Sequence, residues 1–182
     1  FLNYDATMAS LRRLIDPTGL NFGARRITVS TVGIIPKIEK FSHEGLQVNL
    51  AVSLHSADNE LRSQIVPANR IYPLKNLISA CRAYTDETHR RISFEYALIN
   101  DLNDSPAAAY QLAGLIKGML CHVNLIALNP SKAYPLQGSG RDKVQAFADT
   151  LSERGIPVTV RLRRGIEIQA GCGQLASSQN SL

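Results

Sequence analysis

The feature that most constrains this chain is an alternation of two hydrophobic periods. "RITVST", "VNLAVSL", "RISFEYALI", "HVNLIALNP" and "PVTVRLRR" are short, β-branched or apolar runs that read as strands. Between them stand "IPKIEKFSHEG", "ADNELRSQIV", "LKNLISACRAYTDE", "SPAAAYQLAGLIKGML" and "DKVQAFADTLSERG", and "NYDATMASLRRLI" precedes the first strand. These carry apolar residues at helical spacing. Their boundaries have local causes: Asp5 near the first helix start, Ser105 as an N-cap with Pro106 in the first turn, Gly45 and Gly155 as closing glycines, and Pro67 as a stop. Strands and helices in strict alternation, with near-continuous apolar strands, predict parallel β/α units. About five units are too few for a closed eight-fold barrel. They suit an open doubly wound sheet or part of a barrel.

In either architecture ligands gather at the carboxyl ends of the strands. The residues leaving the strands are Ser30–Thr31, Ser53–Leu54–His55, Asn100 and Asn103, Asn129–Pro130, and the loop from Gly165 to Gly173. A polar residue stands at every exit, which favours a shared polar site. Taken singly, Ser30 and Ser53 also read as strand terminators bonded to nearby backbone. His55 also reads as a structural histidine, and Asn129–Pro130 as a plain turn. Glu95, inside a strand, would be costly if buried unpaired, and is expected to face a barrel interior and meet an arginine.

Composition narrows the class. With 182 residues and 45% hydrophobic content, the chain can form one good-sized domain. Cys81, Cys121 and Cys172 are odd in number and far apart, so they form no disulfide framework, and their spacing makes no metal motif. Cys81 and Cys121 read as core residues. Cys172 lies between Gly171 and Gly173, on backbone bare enough to bring a thiol close to a ligand. Arg161, Arg163 and Arg164 crowd just before it, placed to lower the thiol pKa or to hold phosphate. The formal charge of +5 fits an anionic partner such as RNA. No apolar run is long enough to span a membrane and no secretion leader is visible, so a cytoplasmic location is expected. The chain opens on Phe1, which we read as a piece of something longer, and its polar end "ASSQNSL" reads as disordered.

Four stretches together carry a more specific signal: "RRITVSTVGIIPKI", "VNLAVSLHSADNELRSQIVPANRIYPL", "VNLIALNP" and "RRGIEIQAGCGQLA". In combination they resemble the radical-SAM methyltransferases that act on adenine of large-subunit ribosomal RNA, the carbon-2 branch more closely than the carbon-8 branch. The resemblance runs from about Phe1 to Ala176. It implies an α/β fold, a partial (β/α) barrel of the radical-SAM type with parallel strands alternating with helices. Residues 1–176 would be the C-terminal portion of that barrel, including the methyl-carrier loop, and 177–182 a disordered tail. It implies that Cys172 carries a methyl group from one S-adenosylmethionine, and that a second molecule is cleaved at a four-iron, four-sulfur cluster to start transfer to the base. Ser30, Ser53, Leu54, His55 and Asn129 fall on the family's S-adenosylmethionine contacts. Ribosomal RNA, with transfer RNA as a further substrate, and an external electron donor are the implied partners.

The family's CxxxCxxC cluster loop and "GEP" turn do not occur in this sequence. The cluster ligands, resolving cysteine and general base are therefore expected outside this chain. Taken alone, the chain is expected to bind no cluster, to methylate no RNA, and to associate through an uncovered strand edge. Leu128 stands where the family has an aromatic residue, and Glu167, Gln169 and Gly171 also depart from its pattern. Two other readings remain: a non-catalytic barrel remnant that binds RNA or cofactor, and a thiol redox protein built on Cys172.

Overall fold

A computed structural model describes residues 1–128 and 136–161. The elements run α1 (Tyr4–Ile15), β1 (Thr28–Thr31), α2 (Ile35–Ser42), β2 (Asn49–Ser53), α3 (Asn59–Ile65), α4 (Leu74–Thr88), β3 (Ile92–Leu98), α5 (Pro106–Leu115), β4 (Cys121–Ala127), α6 (Arg141–Glu153) and β5 (Val158–Arg161). The strands form one sheet in the order β1-β2-β3-β4-β5, and every neighbouring pair is parallel. A doubly wound sheet reverses its strand order at a switch point. Here order follows sequence without reversal, the winding of an opened (β/α) barrel.

The core confirms that winding. Val29, Leu50, Val52, Phe94, Tyr96, Val123 and Leu125 point to one side and pack with Met8, Ile38, Phe41, Leu77, Tyr84, Leu112 and Phe147 from the helices. All the long helices thus cover the same face of the sheet. The other face carries Ser30, Ser53, Ser93, Glu95, His122, Asn124 and Thr159. Burial alternates strictly along β1 and β3. The physical reason is that, among the described residues, helices cover only one face, and the inner face is built polar.

Local sequence explains the ends. Ser105 Oγ accepts the N–H of Ala108 at 3.2 Å and Pro106 opens α5, as its sequence predicts. Asp58 caps α3 by accepting the N–H of Leu61 at 2.7 Å. The helix expected to reach Leu120 stops at Leu115, and the chain turns through Gly118 at φ +72°.

Candidate functional site

The carboxyl ends of β1 and β2 are tied together by one side chain. Arg62, from α3, is fully buried. Its Nε donates to Leu54 O at 3.0 Å, and its Nη2 to Val32 O at 2.8 Å and Ser53 O at 3.1 Å. Its Nη1 donates to Asn69 Oδ1 at 2.6 Å. Asn69 in turn donates to Asn59 Oδ1 at 3.0 Å and Ser63 Oγ at 2.8 Å. A planar fork of five donors suits such a set of converging carbonyls, and the hydrogen bonds offset much of the cost of burying its charge. After β1, Thr31 Oγ1 accepts the N–H groups of Gly33 (3.1 Å) and Ile34 (3.3 Å), folding the exit over Arg62.

The next exit is fixed by β3. Glu95 O accepts the N–H of Leu54 at 3.0 Å and of His55 at 3.3 Å. His55 takes φ +58°, a left-handed conformation that a non-glycine residue holds only where its surroundings enforce it. Asn103 enforces it from the β3 exit. Its Nδ2 donates to His55 O (2.8 Å) and Ala97 O (2.7 Å), and its Oδ1 accepts the N–H of Ile99 at 2.7 Å. His55 Nδ1 accepts the N–H of Ala97 at 3.0 Å. Burial, reinforced by the Arg62 charge, pushes the imidazole down to about 4. His55 is therefore neutral near pH 7, and with Nδ1 accepting, its proton sits on Nε2.

A row of polar side chains crosses the inner face in register: Ser53, Glu95, Asn124 and Thr159. Asn124 Nδ2 donates to Glu95 Oε1 at 2.8 Å, so among the described residues the carboxylate meets an amide and no arginine. Glu95 Oε2 is buried and has no hydrogen-bond partner among the described residues. A buried carboxylate oxygen left open beside Ser53 is an acceptor in search of a donor.

The sequence-predicted residues are distributed as follows. Ser30 is exposed on the inner face, in register with Ala51. Ser53 and His55 lie half-buried at the end of β2, with Glu95 alongside. Leu54 is fully buried among the core residues, and both its N–H and its carbonyl are engaged. Asn129 and Cys172 lie outside the described residues, as do Arg163 and Arg164. Sequence reasoning named Asn103 only as a polar residue at a strand exit and assigned no role to Arg62 or Asn69, although "LR…IVP.N" already stood out as a pattern. An arginine and an asparagine at fixed spacing from the strand exit were the available signal.

Cys81 and Cys121 are buried in the core, and burial pushes their thiols up to about 12 and about 11. Among the described residues no three His, Cys, Asp or Glu side chains are grouped as a metal site would need. These residues do not fit an iron–sulfur cluster. Nor is any helix among them long and apolar enough to cross a membrane.

No protein-family model matches the chain. It is 51% identical over 175 residues to a protein of Caldanaerobacter subterraneus named probable dual-specificity RNA methyltransferase RlmN, covering 96% of this chain and 51% of that protein. A protein of the same name from Geobacillus kaustophilus is 49% identical over 181 residues, covering 98% of this chain and 49% of the relative. Among solved structures, a radical SAM methyltransferase from Sphaerobacter thermophilus matches with a TM-score of 0.92 and 53% identity, over 96% of this chain and 51% of that one. A domain of pyruvate-formate lyase-activating enzyme from Bacteroides vulgatus shares the fold alone, with a TM-score of 0.67 at 14% identity, over 88% of this chain and 92% of that one. The chain spans about half the length of the curated relatives it matches. Across nearly its whole length, and over about half of theirs, the chain is similar to these radical-SAM and RlmN methyltransferases.

Proposed function

We propose that this chain supplies the S-adenosylmethionine-contacting strand exits and the methyl-carrier cysteine of an RNA methyltransferase acting on carbon 2 of adenine. Large-subunit ribosomal RNA is the substrate, with transfer RNA as the second. The observation that carries this reading is the match to the Sphaerobacter thermophilus radical SAM methyltransferase in both sequence and fold. The names of the RlmN relatives support RNA as substrate.

The polar edge fits a nucleoside-like ligand. Ser30 and Ser53 offer hydroxyls and His55 an Nε2–H donor, while Glu95 Oε2 offers an open acceptor. In this reading Arg62 holds the Ser53 and Leu54 carbonyls fixed, so that the exit does not have to order when the ligand arrives. Asn129 completes the contacts. Cys172, as its thiolate, would take the methyl group of S-adenosylmethionine: a sulfur–carbon bond forms on Cys172, the sulfonium–methyl bond breaks, and S-adenosylhomocysteine leaves with the electron pair, the thiol proton having passed to solvent. S-adenosylmethionine supplies the methyl group, and the cluster ligands lie outside this chain. The complete enzyme takes electrons from an external donor and works in the cytoplasm.

The test uses the whole protein that carries this chain, prepared anaerobically with iron, sulfide, reductant and S-adenosylmethionine. Mass spectrometry of ribosomal RNA should show 2-methyladenine with the parent and none with C172A. Methylation by C172A would overturn the assignment. RNA binding without methylation by the parent would leave the non-catalytic module in its place.

A further inference from the structure

At the amino-terminal edge of the sheet, opposite Ser53 and His55, a cavity of about 550 Å³ opens among Arg25, Asn49, His89, Arg90, Arg91 and His122. No carboxylate is among its described lining residues, so three guanidiniums face one space. None of the three has an acidic partner among the described residues. Like charges gathered around one concavity repel one another, and a bound anion removes that cost.

The site is built rather than incidental. Arg90 is held by its fork: Nη1 donates to Gln47 Oε1 at 2.7 Å and Nη2 to Asn49 Oδ1 at 2.8 Å. Asn49 is itself fixed, donating to Arg25 O at 2.7 Å. Arg90 also interacts with the hydroxyl of the buried Tyr84. His122 is held in a similar way. Its Nε2 lies 3.2 Å from Asn124 Oδ1 and 3.0 Å from Thr159 Oγ1, while Nδ1 is buried and unpartnered. A buried, unpartnered nitrogen on a residue lining a basic cavity is a group that a native structure pairs with something.

We propose that this cavity binds a phosphate group, its oxygens taken by Arg25 and Arg91 with Arg90 and His122 behind them. Guanidiniums match phosphate oxygens in charge and geometry. The phosphate belongs either to an RNA backbone or to a free nucleotide.

The experiment measures thermal unfolding of the whole protein in inorganic phosphate against chloride at equal ionic strength. Phosphate should raise the midpoint along a saturating curve. Arg91 is exposed, so R91Q leaves the fold intact and should cut the shift several-fold. R13Q, on the exposed side of α1, should leave it unchanged. No difference between phosphate and chloride overturns the proposal, and so does a shift that R91Q retains. A short RNA that displaces phosphate assigns the site to the RNA backbone, and displacement by a ribonucleoside monophosphate alone assigns it to a free nucleotide. Either displacement supports the site.

Discussion

Arg62 Nη1 donates to Asn69 Oδ1 at 2.6 Å, wholly inside the protein, and the same guanidinium reaches carbonyls at the ends of both β1 and β2. Two strand exits that contribute candidate ligand contacts are thereby one mechanical unit. Burial pushes the guanidinium down to about 10, still charged at neutral pH.

Replacing Arg62 should therefore be severe. R62M leaves Val32 O, Ser53 O, Leu54 O and Asn69 Oδ1 without their donor, and unfolding by urea should show a loss of at least about 3 kcal/mol. R62K should recover less than half of this, because one ammonium cannot satisfy four acceptors arranged around a planar fork. A neutral R62M would show that the strand exits are held by something else.

His55 ties stability to pH. Its folded pKa, about 4, is depressed below the value of about 6.5 of a free imidazole. As pH falls from about 6.5 towards 4, the unfolded chain takes up a proton that the folded chain refuses. Stability is thus full above that window and falls through it by about 3 kcal/mol in all. Urea midpoints measured from pH 7 to pH 4 should fall more steeply in the parent than in H55N. Equal slopes would mean that the imidazole is not held neutral by its surroundings.

Gly33 closes the turn after β1 at φ +103°, where side chains are rarely tolerated. An added Cβ would lie 2.9 Å from Leu77 Cδ2 and 3.4 Å from Arg62 Nη2. G33A should cost about 3 kcal/mol, combining backbone strain with overpacking. It should also weaken S-adenosylmethionine binding in the whole protein, since strain in this turn displaces Val32 O, which Arg62 holds together with Ser53 O. Equilibrium dialysis checks the second effect, and unchanged binding in a destabilised G33A would separate the turn from the site.

Much of this arrangement was legible in the sequence because the two periods differ so clearly. The five strands, their parallel pairing and the polar exits at Ser53–Leu54–His55 follow from patterns within a few residues. Arg62 did not follow, because an arginine on a short helix looks like any solvated cation. Its burial depends on carbonyls as distant in sequence as Val32. The polar inner row escaped for a related reason. Asn124 and Thr159 become neighbours only through the register of β4 on β5, which no local period encodes. Leu54 shows the opposite limit: the family pattern marks it, yet its side chain belongs to the core.

The two described cysteines offer a last prediction, because their environment opposes reaction twice over. A thiol reacts as thiolate. With its pKa pushed up to about 12, Cys81 is ionised to about one part in ten thousand at pH 8, against roughly a quarter for a free cysteine. Burial then blocks the reagent. Native protein treated with iodoacetamide at pH 8 and mapped by peptide mass spectrometry should remain unmodified at Cys81 and Cys121 until denaturant is added. Modification of Cys81 faster than global unfolding would show that the helix layer over the sheet opens locally, and the rigid exit geometry argued from Arg62 would have to be abandoned with it.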